Sequence, residues 1–308
     1  MEPYKYLIIF LVVSAAFSCI YVLYTIPEQI EKGGISYPND NPNYTWIYEK
    51  TWSDISIRVW TAFLAYLIIV IISLILIFFT VRAWKLFAGE VKITLQFFGL
   101  ALFFYMLGAL AMVVGTGVLI VMKQSYRTDV IYGLIYPCSL PIAMMYSGIA
   151  PYFMLKFSHW TSERRDPSKI REIPILATLV AMIVVMISPH NWFGMYRPGV
   201  NVLDIRIYTN GLLLLVNLLA VIQIIAFLFR KISREPEPIR RARIRTVLAG
   251  FIAMLGFFIC YTADAMTHQP YTVWMFVAYP FAWAAIILLY LGTVAPEWYI
   301  SWLKKKYR

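Results

Sequence analysis

Histidine is scarce in this chain, with three residues among 308. A haem held within a helix bundle needs axial ligands at matched depths on facing helices. His159 falls at one edge of the predicted bundle, whereas His190 and His268 fall at the other. An intrinsic b-type haem is therefore not expected, unless methionines supply the ligands, and no cofactor is assigned to this chain.

Cysteine is equally scarce, and Cys19, Cys138 and Cys260 show no C-x-x-C spacing. This number and spacing predict neither a disulfide framework nor a zinc site, and we interpret the three as packing residues. The sequence also lacks H-E-x-x-H, a phosphate-binding glycine loop, a serine nucleophile elbow and an acid pair within one helix. We therefore expect no enzymatic activity.

Charge is the third scarcity: charged residues make up 14% of the chain and hydrophobic residues 61%, with a mean hydropathy of +0.70. No soluble domain needs this composition to fill a core, so the chain is predicted to be an integral membrane protein. The short alternating runs of a barrel are absent. Helices are expected instead, because a helix satisfies its backbone amides within its own segment.

Eight apolar runs approach the ~20 residues that a helix needs to span the bilayer. They predict an all-α, polytopic membrane helix bundle formed by a single domain, 1–308. The runs cover residues 6–24, 57–81, 95–122, 130–155, 173–190, 207–229, 246–265 and 271–294. The first is expected to be a retained anchor; if it were a cleaved signal peptide, seven helices would remain. The fifth is short for a full crossing, because Pro174 and Pro189 bracket only fourteen residues, and it would also suit a tilted or re-entrant segment.

The basic residues indicate the orientation. If all eight segments cross, 20 of the 27 Lys and Arg residues share one side with both chain ends. The positive-inside rule makes that side cytoplasmic and the location the cell membrane. The net charge of +11 is then explained by topology and by attraction to anionic lipid headgroups, so no nucleic-acid partner is expected. The densest basic stretch, 230–245, is predicted to form a cytoplasmic loop that contacts lipid headgroups. Binding of an acidic cytosolic partner is the alternative.

Two extracytoplasmic loops are rich in aromatic residues. In the loop 25–56 they include Trp46, Tyr48 and Trp52, and in the loop 188–205 they include Trp192 and Tyr196. Such side chains settle at the headgroup level of a bilayer, or they anchor a docked protein. We treat these five as candidate docking residues. Asn43 begins an N-x-T triplet in the first loop and is a candidate glycosylation site.

Tyr261, Asp264 and His268 follow one another at spacings of three and four near the outer end of the seventh span. On a continuous helix they would share a face and could relay a proton or bind a cation. Asp264 lies nineteen residues after Arg245, a rise of ~28 Å, which places it at the outer boundary of the bilayer. Ordinary helix termination before Pro270 is the alternative.

Other residues predict how the bundle packs. Small residues form two seams suited to close helix contact. The seams are Gly108, Ala111 and Gly115 on one helix, and Ala249, Ala253, Gly256 and Cys260 on another. The deep polar residues Gln96, Asn217 and Gln223 are uncharged and suit interhelical hydrogen bonds better than ion conduction.

Because the sequence shows no catalytic motif, no cofactor ligands and no charged pathway, we expect a binding function. The layout of many spans without haem ligands resembles the hydrophobic subunit that accompanies the highly glycosylated b-type cytochrome of thermoacidophilic archaea. The resemblance implies a non-catalytic accessory subunit of a respiratory chain, which anchors an extracytoplasmic partner carrying the haem.

Two alternatives stay open. The stretch from Arg240 through RIRTVLAGFIAML to LYLGTVAPEWYISWL resembles the end of seven-helix sensory input regions that precede histidine kinases. That resemblance implies signalling to a separate cytosolic protein. A small-solute transporter ranks third, because the predicted midplane lacks ionisable residues.

Overall fold

The computed structural model describes residues 52–125, 130–187, 202–266 and 272–307. Within these ranges the chain forms eight α-helices and no β-strand. The helices are α1 Trp52–Leu86, α2 Gly89–Ser125, α3 Val130–Ser162, α4 Lys169–Ile187, α5 Val202–Arg234, α6 Pro238–Met266, α7 Val273–Thr293 and α8 Glu297–Lys306. The predicted all-helical class is thus confirmed for the described residues. The first predicted span, 6–24, lies outside them.

Among the described residues, five stretches are long and apolar enough to cross a membrane. They are Ser56–Leu86, Gly89–Val121, Gly211–Arg234, Pro238–Asp264 and Val273–Thr293. Along α1, large apolar side chains stay exposed at helical spacing, among them Ile57, Trp60, Leu64, Ile68 and Ile71. An apolar outer face of this length suits lipid better than water. The apolar helices therefore indicate a membrane protein.

Helices that follow one another in the sequence pack as antiparallel neighbours, in the groups α1–α2–α3 and α5–α6–α7. α3 packs on α5 and α7 packs on α1, which joins the two groups, while α4 lies against α3 and α5. The core between them is apolar and aromatic. Its largest fully buried side chains include Phe98, Phe104, Phe157, Phe251 and Phe258.

The turns α1–α2, α3–α4, α5–α6 and α7–α8 meet at one end of the bundle. Arg164 in the α3–α4 turn pairs with Glu90 at the start of α2, with 2.9 Å between Nε and Oε2. Lys231 near the end of α5 donates to the carbonyl oxygen of Thr161 at 3.0 Å. We call this the basic end, because most of the described Lys and Arg residues lie in or beside these turns.

Most predicted helices were too short, and the predicted loops were too long. Residues 52–56 of the predicted loop 25–56 lie in α1, and the predicted loop 230–245 lies in α5 and α6 except for residues 235–237. α1, α2 and α3 have 35, 37 and 33 residues, because they continue past their apolar runs into charged residues.

α4 begins at Lys169 and carries Pro174 inside it, so its 19 residues rise ~28 Å and start before the predicted span. Pro174 is the sixth residue of α4 and has no N–H, so the carbonyl of Ile170 lacks its usual donor four residues later.

Helix α8, which follows Pro296, was not predicted from the sequence. Tyr299 and Leu303 are buried against α6, whereas Trp298 and Trp302 are exposed. The Tyr299 hydroxyl lies 2.6 Å from Oγ1 of Thr246, and this hydrogen bond ties α8 to α6. The helix is too short and too polar to resemble a span, so a search for long apolar runs could not find it.

Close approach of α6 and α7 depends on glycine. A Cβ on Gly292 would lie 2.9 Å from the backbone nitrogen of Val247, and one on Gly256 would lie 3.0 Å from the ring of Phe281. The predicted seam is therefore right at Gly256 but wrong at Ala249, which is exposed. The neighbouring Gly250 makes the close contact instead, against Leu289. In the other seam, Gly108 meets α3 at Ser147 and Ala143.

Candidate functional site

The predicted docking platform falls almost wholly outside the described residues. Trp46, Tyr48, Trp192 and Tyr196 lie there, and so does the glycosylation candidate Asn43. Trp52 is the first residue of α1. The docking role of these five aromatic residues and the modification of Asn43 stay predictions.

Asp264, near the end of α6, contacts the start of α7. Its Oδ1 accepts two hydrogen bonds from Thr272, one from the backbone N–H and one from the hydroxyl, each 2.6 Å long. Thr272 is the N-cap residue of α7. A carboxylate in this position also interacts favourably with the helix dipole. The arrangement fits a clamp between two helix ends.

Tyr261 lies one turn earlier on α6 and faces other partners. Its ring stacks on that of Phe257, with 6.0 Å between the ring centroids, and it borders an internal cavity. His268, the third member of the predicted polar site, lies outside the described residues. The proposed line of tyrosine, aspartate and histidine therefore stays a prediction. In the described residues, the Asp264 carboxylate accepts hydrogen bonds from Thr272.

The internal cavity has a volume of about 90 Å³ and lies among α1, α2, α3, α5, α6 and α7. Its wall is almost entirely apolar, with methionine and small side chains beside aromatic rings. Lining residues include Tyr66, Met112, Ala143, Met144, Met254 and Ala285. A cavity of this kind stays dry or takes a small apolar ligand, and methionine lets its wall adapt in shape.

One polar contact lies at the cavity. The Tyr105 hydroxyl on α2 is 3.3 Å from Oδ1 of Asn217 on α5 and 3.2 Å from the sulfur of Met254 on α6. Asn217 is fully buried, and its Nδ2 donates to the carbonyl oxygen of Leu213 at 2.8 Å. A buried tyrosine hydroxyl needs a hydrogen-bond partner, and the asparagine amide supplies it. This contact joins three helices.

The predicted interhelical hydrogen bond of Asn217 is thus confirmed. Gln223 differs, because its Nε2 donates at 2.8 Å to the carbonyl oxygen of Leu219 in its own helix. The role of Tyr105 was not predicted from the sequence. The signal was available, since a tyrosine in the middle of an apolar run requires a polar partner elsewhere in the bundle.

The described residues contain no group of three or more His, Cys, Asp or Glu side chains placed to hold a metal ion. Cys260 is buried in the core as a free thiol. His159 is buried near the basic end, where Arg171 lies 3.2 Å from its Nε2. An arginine carries only donors, so this ring nitrogen accepts the hydrogen bond.

Comparison with known protein families, with curated proteins and with solved structures found no match to the chain.

Proposed function

We propose that the chain is a non-catalytic subunit of the cell membrane that crosses the bilayer eight times, with both ends in the cytoplasm. Its role is to hold an extracytoplasmic protein partner. The archaeal resemblance makes that partner a haem-carrying, glycosylated cytochrome of a respiratory chain.

The observation that carries this proposal is the basic end of the bundle. Four turns with their Lys and Arg residues meet there. Arg164 contacts Glu90, Lys231 contacts Thr161, and Arg243 at the start of α6 contacts Thr293 at the end of α7. The positive-inside rule assigns such an end to the cytoplasm. Since the antiparallel helices alternate in direction, the opposite, extracytoplasmic side then receives the aromatic segment that precedes α1 and the one between α4 and α5, where both are available to a partner.

Copurification from native membranes tests the proposal. Extraction in mild detergent is expected to recover a haem-containing glycoprotein with the chain, whereas the isolated chain shows no Soret absorbance. Replacing Trp46 and Trp52 together by Ala is expected to lower partner retention severalfold, because buried aromatic anchors dominate docking energy. The matched control is Trp298→Ala with Trp302→Ala, which removes two exposed tryptophans at the basic end.

Equal retention by both double variants would remove the docking role of the loop 25–56. Recovery of the chain alone, or a Soret band in the isolated chain, would contradict the anchor function itself.

The internal cavity favours a second candidate, the sensory input module. A small apolar ligand in a cavity shared by six helices can shift their packing, as signalling requires. In nanodiscs, toluene is expected to raise the melting temperature with saturation, and Ala285→Phe, which fills the cavity, to abolish the rise. A change without saturation in both proteins would mean that toluene only dissolves in the lipid, and would reject this candidate.

A further inference from the structure

A second cavity opens at the basic end, with a volume of about 470 Å³. It lies between the starts of α2 and α6 and the ends of α3, α5 and α7. Its wall combines basic side chains with an apolar floor that includes Leu95, Phe157, Leu228 and Phe251. We call it the basic cleft, and we propose that it binds a phosphate-bearing anion.

The charge of the cleft is strongly one-sided. Arg164, Lys231, Arg240 and Arg243 line it together with Glu90, and Glu235 beside the cleft pairs with Arg240. Four positive charges less two negative charges leave +2. Like charges this close repel one another, and the repulsion grows where water is partly excluded. A bound anion would relieve it. The positive ends of two helix dipoles, those of α2 and α6, point to the same end of the bundle and add to the attraction.

Arg243 supplies the most specific feature. Its Nη2 donates to the carbonyl oxygen of Thr293 at 3.0 Å, which fixes the guanidinium at the wall of the cleft. Its Nε is buried and makes no hydrogen bond, and the buried Oγ1 of Thr293 beside it also lacks a partner. A buried donor without an acceptor is unfavourable, and a phosphate oxygen in the cleft would provide the acceptor.

The other basic side chains are held at the rim by the fold. Arg164 pairs with Glu90, and Nε of Arg240 lies 3.3 Å from Oε2 of Glu235. Each arginine has five N–H donors, more than these contacts use. Phosphate, with several acceptor oxygens, can bind several such donors at once, whereas a carboxylate would use fewer.

The size and the floor of the cleft narrow the class of ligand. A volume of about 470 Å³ falls within the range of small-molecule sites, roughly 300–1,000 Å³. The apolar floor suits an organic group attached to the phosphate. Two sources share this chemistry: the headgroup of an anionic phospholipid and a soluble phosphate compound. Basic pockets between membrane helices on the cytoplasmic side commonly bind such headgroups.

Binding can be measured on the full chain in nanodiscs of phosphatidylcholine. One arm adds inorganic pyrophosphate to the buffer, and the other replaces part of the lipid by phosphatidylglycerol; sodium chloride sets equal ionic strength. We expect at least one probe to raise the melting temperature. Arg240→Gln and Arg243→Gln are each expected to weaken apparent binding about tenfold, because each removes a charged donor.

Arg165→Gln is the matched control. Arg165 lies in the α3–α4 turn next to Arg164 but does not line the cleft; it pairs with Glu163 at 2.8 Å. This contact lowers the pKa of Glu163 below its ordinary value. The control variant removes one basic charge from the same end of the bundle and is expected to leave binding unchanged.

A response to pyrophosphate identifies a soluble ligand, a response to phosphatidylglycerol identifies a headgroup, and either supports the site. The proposal is overturned if neither probe raises the melting temperature, or if Arg165→Gln weakens binding as much as the cleft variants do. If Arg243→Gln fails to fold, Arg240→Gln and Lys231→Gln decide the outcome by the same measurement.

Discussion

At the scale of single residues, Asp264 shows how a polar side chain at the edge of an apolar helix is used. Its carboxylate bonds twice to Thr272, so the described contacts bind α6 to α7. A proton relay would need the ionisable group itself, whereas a clamp needs only an acceptor oxygen. Asparagine keeps that oxygen and alanine removes it, which separates the two functions.

Asp264→Ala is expected to destabilise the protein by about 1–3 kcal/mol, because it leaves the Thr272 donors without their charged acceptor. Asp264→Asn is expected to cost less than about 1 kcal/mol. Thermal unfolding in detergent measures both changes. A relay would produce the opposite pattern, with Asp264→Asn stable but inactive.

At the scale of the element, α7 depends on having no side chain where it meets α6. Gly292 faces backbone atoms of Val247 and Arg243, at 2.9 and 3.0 Å from a Cβ at that position. Backbone cannot move aside as the end of a flexible side chain can. The sequence indicated small residues on α6, but the glycine that matters on α7 is visible only when both helices are placed.

Gly292→Ala is expected to destabilise the protein by about 1–3 kcal/mol, since the added methyl group must separate the two helices. Gly211→Ala is the matched control, because its Cβ would meet nothing within 4 Å. Alanine has the higher helix propensity, so the control is expected to gain up to about 1 kcal/mol. Equal melting temperatures for the two variants would refute the close contact at Gly292.

At the scale of the whole molecule, the sequence predicted α1 to α7, but it predicted neither α8 nor what the helix ends form together. Long apolar runs are a local signal, so they locate helices without any tertiary information. The cavity at Tyr105 and the basic cleft combine residues from five or six helices. No local pattern contains such a set. Boundaries also shifted, because helices such as α1 continue into charged residues that an apolar search excludes.

The proposed eight-span topology predicts that α4 crosses the membrane. In a cysteine-free background, Ser168→Cys is expected to react with a membrane-impermeant maleimide only from the cytoplasmic side, and Ser188→Cys only from the opposite side. The 19 residues of α4 rise ~28 Å, close to the ~30 Å thickness of the hydrocarbon core. Labelling of both cysteines from the same side would show that α4 does not cross.

The hydrogen bond between Tyr105 and Asn217 also has a consequence for biosynthesis. The two residues are 112 positions apart in the chain. At ~5–20 residues per second, a ribosome needs roughly 6–22 s to make that length. For that interval the nascent α2 has to wait in the bilayer before Asn217 is made, so α2 is expected to reach its final register only after α5 is inserted.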